Sequence, residues 1–251
     1  MRDKLSSDFE KKLITIVMPI AFQQFMLALV NASDALMLGM VSQDALSAVS
    51  LASQITFVQN LFLMAMTIGL SMFAAQYWGK KDTESVERIF AYVLKITLAI
   101  SFVFTLAAFC FPEFLMGIFT PETVLVEKGA IYLKAVSLSY LLTGISQIYL
   151  CVLKNSGKAV RSSIISSTSV ISNIILNAVL IYGLFNMPKL GIAGAAIATV
   201  IARILEVLWC LLETSRKDGV KLRLIHIVKD DHRLRHDFWR YTTPVLGNEI
   251  V

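Results

Sequence analysis

One ionisable side chain sits where water should be scarce. Asp34 lies in a run from Leu13 to Gly39 whose other residues are all uncharged. Gln23, Gln24 and Asn31 share that run, and on a helix the four polar side chains fall within about 100° of arc, as one stripe. A charged carboxylate deep in a bilayer costs ~2.5–3.5 kcal/mol even on the lenient insertion scale, so such residues face a polar interior and take part in function. The plainer alternative places Asp34 about 8 Å from the end of its helix, in interfacial water. The stripe running below it favours function.

A second polar face occurs further on. Ser162, Ser166, Ser169, Asn173 and Asn177 recur at i, i+4, i+7, i+11 and i+15, a straight line along one helix. Serines at such spacing also serve as packing contacts between membrane helices. The two asparagines each add a carbonyl oxygen able to ligate a hard cation. A third run opens with "GIAGAAIAT", whose Gly191, Gly194 and Ala198 let another backbone come close. Thr199 brings a hydroxyl to that face. Arg203 and Glu206 lie three apart and should neutralise each other. Gln24 and Asn31, with Glu249 near the end of the chain, are candidates for a substrate or proton site.

Catalytic signatures are missing from the sequence: it holds no HExxH, no GxSxG and no P-loop. His226, His232 and His236 sit in a charged stretch with no metal-site pattern. Cys110, Cys151 and Cys210 fall in apolar stretches and are read as small hydrophobes. The expectation is a protein that is not an enzyme, needs no cofactor, and holds no metal beyond a Na⁺ at the Asp34 face.

These residues need a scaffold, and composition names its solvent. Of 251 residues, 56% are hydrophobic and 16% charged, against about a quarter charged in soluble domains. The mean hydropathy is +0.68. The apolar residues come in runs of roughly 20 or more, enough to cross a ~30 Å hydrocarbon core as helix. The fold class expected is an all-α integral membrane protein with a bundle of six transmembrane helices. The spans predicted are 13–39, 46–78, 88–111, 126–153, 160–185 and 190–212. A formal charge of +5 does not argue for nucleic acid, because the basic residues lie between the apolar runs.

Those basic residues also orient the chain. Lys11 and Lys12, Lys80 and Lys81, Lys154 and Lys158, and the cluster from Arg216 onward fall on alternate connections, while the opposite side is nearly free of them. A cell-membrane protein with a cytoplasmic N-terminus is expected. Residues 1–215 then form the six-helix bundle, 216–236 a charged cytoplasmic linker, and 237–251 the start of a seventh helix. That start echoes the first helix: Pro19 and Pro244 are each followed five residues later by a long polar side chain, Gln24 and Glu249. A second repeat is expected to begin there and to be cut short at Val251.

The chain resembles the multidrug and toxic compound extrusion (MATE) transporters. "MPIAFQQFMLALVNASDALMLGMVSQDALSAVSLA", "GLSMFAAQYWGKKD", "LKNSGKAVRS", "NIILNAVLIYG", "GIAGAAIAT" and "TPVLGNE" resemble that family's successive motifs in order. The resemblance implies one lobe, the amino-terminal half, of a two-lobed antiporter. A second six-helix lobe and membrane lipid would be its partners and organic cations its substrates. Inward flow of Na⁺ or H⁺ would drive export by alternating access. It further implies that Asp34, Asn173 and Thr199 belong to a cation site, that Pro19 is the residue about which helix 1 bends, and that Glu249 matches an acidic residue of helix 7. Asn177 stands where many members carry a second aspartate, which leaves the choice of ion open. Two other readings stand beside this one. One is a lipid-linked oligosaccharide flippase of the same superfamily, which should line its cavity with arginines. The other is a non-transporting half-protein acting as a membrane scaffold.

Overall fold

A computed structural model describes residues 2–214 and 232–250. The chain folds into helices α1 (Arg2–Gly39), α2 (Gln43–Gly79), α3 (Thr83–Cys110), α4 (Pro112–Gly117), α5 (Thr123–Asn155), α6 (Ala159–Tyr182), α7 (Ile192–Thr214) and α8 (His232–Ile250). Among the described residues six helices are long and apolar enough to span a membrane: α1 from Val17, then α2, α3, α5, α6 and α7. The rim where α1 begins is called proximal here, and the opposite rim distal.

Local chemistry sets the helix ends. Ser42 caps α2 by accepting from the Ala45 amide (3.0 Å), and Asp82 caps α3 by accepting from the Ser85 amide (3.1 Å) and hydroxyl (2.7 Å). The Asp82 cap starts α3 five residues before the expected Arg88. The fifth span was expected to reach Phe185 but stops at Tyr182, because Gly183 turns left-handed (φ 75°). Phe185 and Asn186 follow, also at positive φ, in a short 3₁₀ turn. Gly191 (φ 54°) belongs to the turn before α7 and not to the helix. The short helix α4 was not foreseen; Pro112 reads as a stop, yet it serves as the first residue of a new helix.

Helix α5 is the post of the lobe. It packs against α2, α3, α6 and α7, and 67% of its most apolar stretch is buried, against 11% for α1. Missing side chains bring its neighbours close. A Cβ on Gly144 would lie 2.2 Å from Ser101 Oγ of α3, and one on Gly194 of α7 would lie 2.6 Å from the Leu180 carbonyl oxygen of α6. Gly194 thus has the packing role its small-residue run predicted. In the α2–α3–α5 seam the fully buried Gln59 donates to Ser101 Oγ (3.2 Å) and the Tyr140 carbonyl (2.9 Å).

Helix α8 lies against α2. Phe238 is fully buried beside Phe73 and Tyr92, and Trp239 Nε1 donates to the Tyr92 hydroxyl (3.0 Å).

Candidate cation site

Three helices supply the site. α6 directs its polar face inward, with Ser162, Ser166, Ser169, Asn173 and Asn177 all buried. Two of the serines join backbones: Ser169 Oγ donates to the Ala202 carbonyl of α7 (3.0 Å), and Ser162 Oγ to the Leu150 carbonyl of α5 (3.4 Å). Those contacts are packing. The two asparagines do something else.

Asn177 Nδ2 donates to Asp34 Oδ1 of α1 and also to Asn173 Oδ1 (3.2 Å). Asn173 Nδ2 donates to Thr199 Oγ1 of α7 (3.3 Å), which donates in turn to the Ala195 carbonyl (3.0 Å). Asp34, Asn177, Asn173 and Thr199 therefore form one continuous hydrogen-bonded chain across α1, α6 and α7. Asn177 Oδ1 is buried and has no hydrogen-bond partner among the described residues. A buried acceptor with no donor costs roughly 1–3 kcal/mol, so this oxygen is suited to meet a donor or a cation. Carboxylate, two amide carbonyls and a hydroxyl make a set of hard oxygen ligands.

Other predicted residues fall elsewhere. Gln24 and Asn31 are exposed on α1 and stay outside this chain, whereas Gln23 is buried. The polar stripe of α1 is thus split, one edge against α6 and the other facing away from the lobe. Pro19 lies inside α1, and its carbonyl accepts from Ser163 Oγ of α6 (2.9 Å). The side chain of Glu249 and the whole of His226 lie outside the described residues. Arg203 and Glu206 pair at 2.7 Å, as their spacing predicts, and Arg161 pairs with Glu213 at 2.5 Å.

Several polar residues near the site or on exposed helix faces carry no signal in the sequence alone. Tyr132 of α5 packs against the apolar cluster of Leu38, Val49, Ile181 and Ala195, but a lone tyrosine near the start of a span looks like an interfacial anchor. Tyr182 donates its hydroxyl to the Met37 carbonyl (3.0 Å), tying α6 to α1 just beyond Asp34. Gln54 and Asn60 of α2 are exposed within a span. Amides at that depth signal a surface that does not meet lipid.

The model of the MatE family matches residues 19–179. The chain belongs to the MatE family. Among curated relatives, it is 26% identical over 189 residues to the multidrug resistance protein PmpM of Pseudomonas aeruginosa, covering 75% of this chain and 40% of that protein. It is also 26% identical over 197 residues to the probable multidrug resistance protein NorM of Thermotoga maritima, covering 78% and 42%. A solved MOP superfamily transporter from Pyrococcus furiosus superposes with a TM-score of 0.84 at 19% identity, covering 96% of this chain and 52% of that one. An outward-facing MATE family transporter superposes equally well, at 18% identity with 96% and 52% covered. This MatE chain spans about half the length of the relatives it matches and has the fold of one lobe, the amino-terminal half.

Proposed function

We propose that this lobe carries the ion-coupling site of a multidrug exporter. Na⁺ or H⁺ occupies the Asp34–Asn177–Asn173–Thr199 site and is released inward, while an organic cation leaves in the opposite sense. The observation that carries this reading is the buried Asn177 carbonyl left bare beside the Asp34 carboxylate. A carboxylate there is neutralised either by a proton or by a small cation held among hard oxygens. Only one positive species fits at a time, and that exclusivity is what coupling requires.

The rest of the reading concerns the whole transporter. The exposed edge of α1, with Gln24 and Asn31, and the amides Gln54 and Asn60 of α2 face a second six-helix lobe and the substrate between the lobes. Alternating access comes from the two lobes rocking about that space, with Pro19 the bending point of α1. On this reading the proximal rim and the N-terminus face the cytoplasm at the cell membrane, which the basic connections Lys80–Lys81 and Lys154–Lys158 support. The flippase reading gains nothing from the site: Arg203, the arginine deepest in a span, is already engaged by Glu206.

The test joins this lobe to a second six-helix lobe in vesicles and measures cation-driven dye export. Asp34→Asn should abolish export while the protein inserts and folds normally. Undiminished export by well-folded Asp34→Asn protein would remove Asp34 from the coupling site.

A further inference from the structure

At the distal rim, between the end of α3 and the start of α5, the six-residue helix α4 is held from one side only. Its Met116 is fully buried against α5, and a Cβ on Gly129 there would lie 2.2 Å from Met116 Cε. Pro112 is buried beside it, so α4 has a fixed orientation. Its remaining surface is divided in two. Phe114 is 71% exposed on one arc, flanked by Phe111 (64%) just before the helix and Ile118 (63%) just after it, and Glu113 and Gly117 are exposed on another.

That division decides between occupants. A protein partner covering the three apolar side chains would also desolvate the adjacent Glu113 carboxylate and would have to supply a counter-ion for it. A lipid–water boundary satisfies both arcs at once. The apolar arc also continues along the distal part of α3, through the exposed Phe109, Leu106, Val103 and Phe102, and meets a charge on that face only further down, at Lys95. This differs from the exposed faces of α1 and α2, which carry amides. Lys134 of α5 reaches over the Phe109 ring (5.6 Å to its centroid), its ammonium held close to this rim.

We propose that α4 is a rigid membrane-surface anchor, with Phe111, Phe114 and Ile118 sunk into the acyl–headgroup boundary of the leaflet at the distal rim. Through Met116 it fixes the level of α5, the post on which the rest of the lobe packs.

Nitroxide labelling of the full 251-residue chain in phosphatidylcholine vesicles tests this. Cys110 is exposed whereas Cys151 and Cys210 are buried, so the background is Cys110→Ser. Phe114→Cys or Ile118→Cys reports the apolar arc, and Gly117→Cys, where a Cβ meets open space, reports the polar arc. Collisions with oxygen relative to a water-soluble nickel chelate should be several-fold higher at 114 and 118 than at 117. Equal nickel access at all three positions would put the helix in water and overturn the proposal. Spin–spin broadening between labels at 114 would overturn it differently, by assigning the face to a second copy of the chain.

Discussion

Asn177 donates to the Asp34 carboxylate across the α1–α6 contact, yet its own carbonyl oxygen meets no donor among the described residues. One amide therefore orients the acid through its nitrogen and keeps a carbonyl oxygen beside it that no protein donor engages. Asparagine suits this, since an aspartate could not donate to Asp34 when ionised and leucine could do neither.

Replacing that amide should weaken the fold and the transport together. Asn177→Ala strips Asp34 of its donor and should cost about 1–3 kcal/mol of stability, measured by thermal unfolding in detergent. In the two-lobed protein it should also remove most cation-driven export. Full export by Asn177→Ala protein would mean that Asp34 works without it.

Two glycines of the same type should respond oppositely. A Cβ on Gly194 meets the Leu180 backbone carbonyl at 2.6 Å, which cannot rotate away, whereas one on Gly117 meets open space. Gly194→Ala should destabilise by about 1–3 kcal/mol through overpacking. Gly117→Ala should be neutral or gain up to about 1 kcal/mol from helix propensity. Equal melting temperatures for the two variants would refute the close α6–α7 approach.

The α3 cap gives a pH-dependent signature. The Ser85 hydroxyl and then the Ser85 amide, both donating to Asp82, hold its carboxyl below the usual carboxylate range. A depressed folded value means that the stabilisation is present above the ordinary carboxylate range. It is lost as pH falls through the folded value. The protection of the Ser85 amide against hydrogen exchange, taken relative to its intrinsic rate at each pH, should therefore fall in acid in the native chain. Asp82→Asn should flatten that dependence, and an unchanged acid limb would count against the cap.

Topology is open to direct labelling. Cysteine tags introduced at 80–84 or 216–221 should react only with reagent on the cytoplasmic side. Tags at Gln43 or Lys189 should react only from outside. Two positions labelled from the wrong side would invert the orientation drawn from the basic residues.

The amide face of α6 was legible because a helix in lipid must bury its polar residues on one side, so a strict 3.6-residue spacing fixes which residues face inward. Thr199 followed from the small-residue run beside it. Sequence does not say which edge of a 100° stripe meets a neighbour: Asp34 reaches Asn177 of α6 and Gln23 is buried, whereas Gln24 and Asn31 are exposed. Helix α4 was hidden because six residues leave no periodicity to read and Pro112 mimics an ending. Tyr132 escaped because its meaning depends on α5 lying beside α1's end, a tertiary fact with no local signal.

Gly69 of α2 carries a final implication, for how such a protein is put together. A Cβ there would fall 2.4 Å from Thr242 Oγ1 and 3.0 Å from the Phe238 ring of α8, so the groove on α2 is shaped by what it lacks. Because α2 precedes α8 in the chain, a lobe that folds as it is made would offer that groove to α8 as a ready seat, and order of synthesis would set order of assembly. A bulky side chain at position 69 would leave the six spans intact and deprive the incoming helix of its template.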